Sequence, residues 1–460
     1  MHRRLAVLCL CILAACSPSG DAAPDAVPQE DAIELTLTRH EDGSWTALYR
    51  FPQAAPAWVF PRSALTRADG EPWRPASWTV RTPGVRLDRV GDRDVLVAED
   101  GNVPIELEVG FTPYTSLLLA DYVPVLAFSD GAQAVFTGHF IAGPADREAL
   151  ATGTDPFEDA PALQVEFVDA AGGPIAVGGT VGEGRVAYAG EDDTYAYFGS
   201  RAPEVTEHLV LLIDGQVPGW ISAELNAFMP ALMALYAERF RVELRNRPSV
   251  YAVWEGAEVD GFSMGGSVAP GLLAANFSGA QMLEPNAAIL GHLRTFYAHE
   301  AAHFWNGWTA VPESRTNAFV HEGGADALSF LAMDALVADF DLEAARAAAV
   351  ARCRQGGGPA PLAEAQREGR DDAVYGCGAL AHFAAAQALA AQGHDLFDLW
   401  EAVIAGALER DRPTYALEDW LAALEALSGD GELVATLRTW SETGLGEAQF
   451  EALAARAAAQ

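Results

Sequence analysis

A chain of 460 residues exceeds what one hydrophobic core usually serves, so two or three packed units are expected. Half of the residues are hydrophobic, enough to fold, while 64 acidic against 29 basic residues give a formal charge of −35. Every one of those basic residues is an arginine. The negative excess argues against nucleic-acid binding, which needs cationic patches, and the lack of lysine excludes lysine chemistry.

The N-terminus reads "MHRRLAVLCLCILAACSPSG": Arg3 and Arg4, then an apolar run from Leu5 to Ala15 that is too short to span a bilayer as a mature helix. Residues 1–15 therefore read as an export signal. The "LAAC" ending at Cys16 resembles the lipobox of bacterial lipoproteins. That resemblance implies acylation of the Cys16 thiol, anchoring in a membrane and, with Ser17 next, sorting to the outer membrane of a double-membraned bacterium. A plain secretory peptide cut near Ala15 is the alternative. Losing Arg3 and Arg4 with the signal lowers the formal charge by two, to about −37. The rest of residues 16–31, "SPSGDAAPDAVPQED", is small, acidic and proline-bearing, the composition of a solvated tether.

Residues 32–205 carry short runs of period-two alternation, "IELTLTRHEDGSWTALYRF", "DVLVAEDG", "IELEVGF" and "GRVAYAG", punctuated by Asp-Gly and Gly-Gly. They predict an antiparallel β domain of sandwich character. From 206 the pattern becomes strand, helix, strand: "HLVLLID", "WISAELNAFMPALMALYAERF", "SVYAVWEG". A glycine-rich extended stretch follows, "GFSMGGSVAPGLLAANFSG". Pro285-Asn286 then opens a helix that Asn306-Gly307 is expected to stop. Residues 206–345 form the expected catalytic unit, and 346–460 a helical C-terminal part. The fold class is α+β.

The chemistry concentrates in "YAHEAAHFWNGW". Residues four apart share one helix face, so His299 and His303 can offer two imidazole nitrogens to one ion. Glu300, one residue around, can reach water beside that ion without ligating it. Such a motif also arises by chance on an alanine-rich helix, so a third ligand decides. Glu322, in "FVHEGGADAL", follows His303 after eighteen residues, giving HExxH-x18-E.

In this spacing the chain resembles the gluzincin metallopeptidases, and within them the aminopeptidase N family. Ala302, Trp305, Gly307 and the Glu-Gly of "HEGGAD" add to the likeness, and Trp305-Asn306 resembles the "HxWN" of the glycyl aminopeptidase family. The resemblance implies a thermolysin-like catalytic domain and one Zn2+ per chain held by His299, His303 and Glu322. It also implies Glu300 as general base and a peptide or protein substrate. Asp326, four after Glu322, resembles an aspartate that hydrogen-bonds a zinc histidine. Tyr375, followed by Gly378, matches a YxKG element that carries an oxyanion-binding tyrosine, with Cys377 in place of the lysine. His321 is assigned to the cleft lining or to support of the ligands. His292, His382 and His394 are expected to be packed or solvated.

One position departs from the family. Its edge strand carries GxMEN, whose glutamate pairs with the substrate's α-amine. Here Met264 is followed by Gly265 and Gly266, so peptidase chemistry carries over more firmly than aminopeptidase specificity, although Glu258 or Asp260 can stand in. Two cysteines survive the signal and the lipid anchor, Cys353 and Cys377. An exported protein permits a bridge between them, and the sequence leaves bridged and free forms open. The competing reading is a zinc-binding scaffold lipoprotein on the same fold that turns nothing over.

Overall fold

The computed structural model describes residues 32–146, 161–190 and 193–458. The export signal, the tether and Cys16 lie outside the described residues.

The N-terminal domain is built from three sheets of six, four and five strands. Alternation places Ile33, Leu35 and Leu37 inside and Glu34 outside on the first strand, Ile33–Arg39. That strand turns at Asp42-Gly43, where Gly43 takes φ 81°, and pairs antiparallel with Trp45–Arg50. Its other neighbour, Leu163–Asp169, runs parallel to it. The other strand pairs of the domain are antiparallel, as expected, and this one parallel pair is added to them. A parallel neighbour requires a long crossover, which the intervening strands supply, and alternation within a strand says nothing of its partner's direction. Trp45, Trp58, Trp73 and Phe51 fill the core. Arg74 is fully buried there, its guanidinium 2.8 Å from Asp94 and 2.7 Å from the His139 carbonyl, which meets the demand of a buried charge for partners.

The second half opens on a five-stranded sheet of β1 (Glu204–Val205), β2 (Val210–Ile213), β3 (Ser249–Trp254), β4 (Ser263–Ala269) and β5 (Leu272–Ser278), in the order β1-β2-β3-β5-β4. This sheet begins at Glu204, two residues before the expected boundary. Helix α1 (Gly219–Phe240) is the crossover between parallel β2 and β3. The sheet is buried on both faces. Val250 and Ala252 of β3 point to the helices, whereas Tyr251 and Val253 point to the N-terminal domain. The Tyr251 hydroxyl there donates to the Ala176 carbonyl at 3.2 Å.

Helices α2 (Ala287–His303), α3 (Ala318–Leu336), α4 (Leu342–Gln355) and α5 (Gly378–Ala390) surround the site, and four more helices between Leu396 and Ala457 complete the chain. One hydrophobic cluster runs from Leu209 to Ala457. The expected boundary at 345 falls inside α4, and the two sides of it share a core.

Candidate metal centre

Helix α2 begins where Asn286 accepts from the amides of Ala288 and Ile289, the capping that Pro285-Asn286 predicts. Its C-terminal turn carries His299, Glu300 and His303. The helix does not stop at Asn306-Gly307. Phe304–Thr309 continues it as a π-helical segment, and the wider turn swings Asn306 back beneath His303. Gly307 is required there, because a Cβ would lie 2.8 Å from the His321 ring.

Glu322 comes from the first turns of α3, and Tyr375 from a second π segment, Ala373–Cys377, just before α5. Two glycines let these elements touch. A Cβ on Gly323 would lie 2.2 Å from the Gly378 Cα, so the backbones of α3 and α5 meet directly beside both functional residues. The Cys353 and Cys377 sulfurs are bonded, tying α4 to the segment that carries Tyr375.

Three donor atoms converge. His303 Nε2 lies 3.2 Å from His299 Nε2, and Glu322 Oε2 is 3.3 Å from the first ring and 3.4 Å from the second. Zinc bonds of 2.0–2.1 Å in a tetrahedron require ligand-to-ligand spacings of about 3.3–3.4 Å. The far ring nitrogens define the tautomers. His299 Nδ1 lies 2.8 Å from Asp326 Oδ1, an acceptor only, so Nδ1 carries the proton. Asn306 Nδ2 donates to the His321 carbonyl at 3.0 Å, which orients the amide and leaves its Oδ1 to accept from His303 Nδ1 at 2.9 Å. With each Nδ1 turned to its own acceptor, both Nε2 atoms face Glu322, a place that either a proton or a metal cation can fill. The residues fit zinc.

Burial pulls the His299 imidazole down, but the hydrogen bonds it donates to Asp326 and Glu322 outweigh it and hold the ring up at about 10, so a proton competes with a metal cation for the place between Nε2 and Glu322. Burial pushes the Glu322 carboxyl up, yet the two histidines hold it well below the usual range. His321 stacks on His303 with ring centroids 4.3 Å apart, its Nδ1 is 3.3 Å from the Asn306 carbonyl, and burial pushes it down to about 3. It stays neutral and lines the cavity beyond Glu322. Beyond Glu322 opens a cavity of about 500 Å³, lined by Pro312, Arg315, His321 and Gln366 among others.

The Tyr375 ring centroid sits 5.8 Å from that of His299. Burial raises its phenol above the ordinary tyrosine value, and the charges of Glu322, Asp326 and Glu300 raise it further. The hydroxyl is therefore protonated and able to donate. Glu300 is half-buried, and its charge is felt at both His299 and Tyr375. Met264, Gly265 and Gly266 lie on β4 at the edge of the sheet, and a Cβ on Gly266 would meet the Phe296 ring at 2.9 Å. Phe296 is four residues before Glu300 on the same helix face. Glu258 and Asp260 are exposed in the loop before β4.

Three residues escape the sequence reading. Asn306 reads in the sequence as a helix stop, yet it holds the His303 ring. Arg352 lies 4.8 Å over the Tyr375 ring, 3.6 Å from Asp326 and 2.9 Å from Asp372. Tyr415 donates to the Asn306 carbonyl at 2.8 Å from a short strand, Thr414–Tyr415, 109 residues away. The remaining histidines are structural: His382 packs against Trp400 and Trp420, His394 pairs with Asp398 at 3.3 Å, and His292 meets the Phe262 ring.

No protein-family model matches the sequence, and no curated protein matches it. Solved structures match the fold. An aminopeptidase N family protein from Idiomarina loihiensis superposes with a TM-score of 0.56 at 12% identity, over 92% of this chain and 75% of that one. A mutant M1 zinc metallopeptidase from Deinococcus radiodurans, bound to the substrate Tyr-Ser-Ala, gives 0.50 at 15% identity, over 90% and 94% of the two chains. The chain has the two-domain α+β fold of the M1 zinc aminopeptidases.

Proposed function

We propose that the protein is a zinc metallopeptidase that hydrolyses peptide bonds. The observation that carries this reading is the triangle of His299 Nε2, His303 Nε2 and Glu322 Oε2, with edges of 3.2 to 3.4 Å and every far nitrogen fixed by an acceptor. Bound there, zinc supplies Lewis acidity to water and to the scissile carbonyl. Glu300 accepts a proton from the attacking water as its oxygen bonds to the carbonyl carbon. It returns that proton to the amide nitrogen as the C–N bond breaks. The protonated Tyr375 hydroxyl donates to the oxyanion of the tetrahedral intermediate, where a preformed donor has most effect. The edge strand β4 aligns the peptide backbone.

The acylated Cys16 anchors this body to a bacterial membrane, with the outer membrane as its destination, and residues 17–31 give it reach. The support for this is the "LAAC" sequence and its charged, apolar approach.

The test is purified protein assayed for metal and for hydrolysis of a peptide mixture. One zinc per chain, peptide cleavage, and a Glu300→Gln variant that keeps zinc while losing cleavage support the reading. Zinc without cleavage of any peptide leaves the scaffold lipoprotein standing instead.

A further inference from the structure

Strand β4 is the outer strand of its sheet. The Val268 carbonyl accepts from the Tyr122 hydroxyl at 3.0 Å, so Val268 turns its main-chain groups away from β5. Along an antiparallel strand this orientation recurs at every second residue, which gives Gly266 and Met264 the same outward N–H and C=O groups. Such groups are a template for an added strand.

Between β4 and the N-terminal domain lies a cavity of about 550 Å³. Gly265 forms part of its floor, and a Cβ there would meet nothing within 4 Å. Its wall includes Tyr122, Leu126 and Leu117. Leu117 is 54% exposed, and Leu119 close by is 47% exposed, apolar surface that a folded chain ordinarily covers. The charged groups in the wall have polar partners. Arg62 pairs with Asp121 at 2.8 Å and Asp193 at 2.9 Å, and Glu255 accepts the Asn276 amide at 2.7 Å. At Gly266 the strand lies against Phe296, one helical turn before Glu300. The second cavity, of about 500 Å³, opens past Glu322. Glu322 itself lines the second cavity, and the first is tied to the metal centre through Gly266 and Phe296.

We propose that these cavities together seat an extended peptide on both sides of the scissile bond, with apolar side chains entering the space beside Gly265. The substrate is then an internal or end-blocked stretch of chain, and no free α-amine is needed to bind it. This rests on the zinc peptidase reading above and narrows its substrate class. Leu117, Tyr122 and Leu126 favour an apolar side chain at that subsite, and the absent side chain of Gly265 leaves the space beside the strand open.

The experiment uses the zinc-loaded protein and one apolar octapeptide in two forms, free at both ends or acetylated and amidated. The blocked form is expected to be cut internally with kcat/KM within about threefold of the free form. Gly265→Phe, whose ring fills the cavity without backbone strain, should raise KM for the blocked peptide roughly tenfold with zinc content unchanged. Leu117→Arg, an exposed substitution that leaves the core alone, should act in the same direction. Cleavage of the free form alone, removing one residue at a time, overturns the proposal, leaves the peptidase standing and points to Glu255 as an amine anchor. Unchanged KM in both variants overturns it as well. Bound zinc with neither peptide cut overturns the peptidase reading, and this inference with it.

Discussion

Asp326 divides its carboxylate between two partners: Oδ1 lies 2.8 Å from His299 Nδ1, and Oδ2 lies 3.6 Å from the Arg352 guanidinium. The same side chain thus fixes the ring that would hold the metal and meets the arginine that lies over Tyr375. Asp326→Ala is expected to lower zinc affinity by about 10- to 100-fold, the usual effect of losing such a partner. Competition against a chromophoric chelator measures it. Affinity unchanged from the parent would show that the ring is held by packing alone.

Tyr375→Phe keeps the ring, its stacking on Arg352 and its burial, and removes only the donor. A fall in kcat of about 10²- to 10³-fold with little change in KM is expected, the size of effect seen when one oxyanion donor is lost. Arg352→Met should give a smaller fall in kcat, since it loosens the ring without removing the hydroxyl. Steady-state kinetics on one peptide separate the two, and an equal loss in KM would assign Tyr375 to ground-state binding instead.

The bond between Cys353 and Cys377 spans a sequence separation of 24. Replacing both by serine should lower stability by about 3 kcal/mol, mainly through a less restricted unfolded chain. Because the bond joins α4 to the Tyr375 segment, kcat should fall in the same variant at temperatures where it remains folded. Denaturant midpoints and kinetics, run side by side, read the two effects. A stability loss with kcat untouched would mean that the segment keeps its shape unaided.

Two buried histidines make acid destabilising. Burial pushes His382 down to about 4, against the opposing hydrogen bond to the Gly378 carbonyl, and burial likewise pushes His139 down to about 4. The folded state keeps these rings neutral while the unfolded chain protonates them near 6.5, so their contribution is complete above pH 6.5 and is lost as pH falls toward 4. At pH 5 the loss is about 2 kcal/mol for each ring. Melting temperature against pH should therefore slope downward across that window, and His382→Gln should flatten the slope. A parallel slope in the variant would place the acid sensitivity elsewhere.

What the sequence discloses follows the range of the contacts involved. His299, Glu300 and His303 are legible because the helical repeat alone puts them on adjacent faces of one turn. Glu322 is legible only by resemblance, since nothing local says that the start of α3 folds back onto α2. Asn306 is legible only as part of a likeness to "HxWN", with no sign that it holds His303, and Arg352 is not legible at all. The first acts through a π segment, a deviation of one residue per turn that no hydrophobic period announces, and the second through α4, which packs on Tyr375 only in three dimensions. The same limit explains the β domain: the alternation that marks Ile33–Arg39 as a strand is blind to the parallel partner 130 residues further on, at Leu163–Asp169. It explains the boundary at 345 too, where a change in composition coincides with no break in the core.

The sheet of β1 to β5 is sandwiched, with alternate residues of β3 committed to opposite halves of the molecule. Neither half can lose its packing without stripping one side of the same five strands. Heating should therefore give a single calorimetric transition rather than two, and the main-chain amides of β3 should be the last in the molecule to exchange with deuterium.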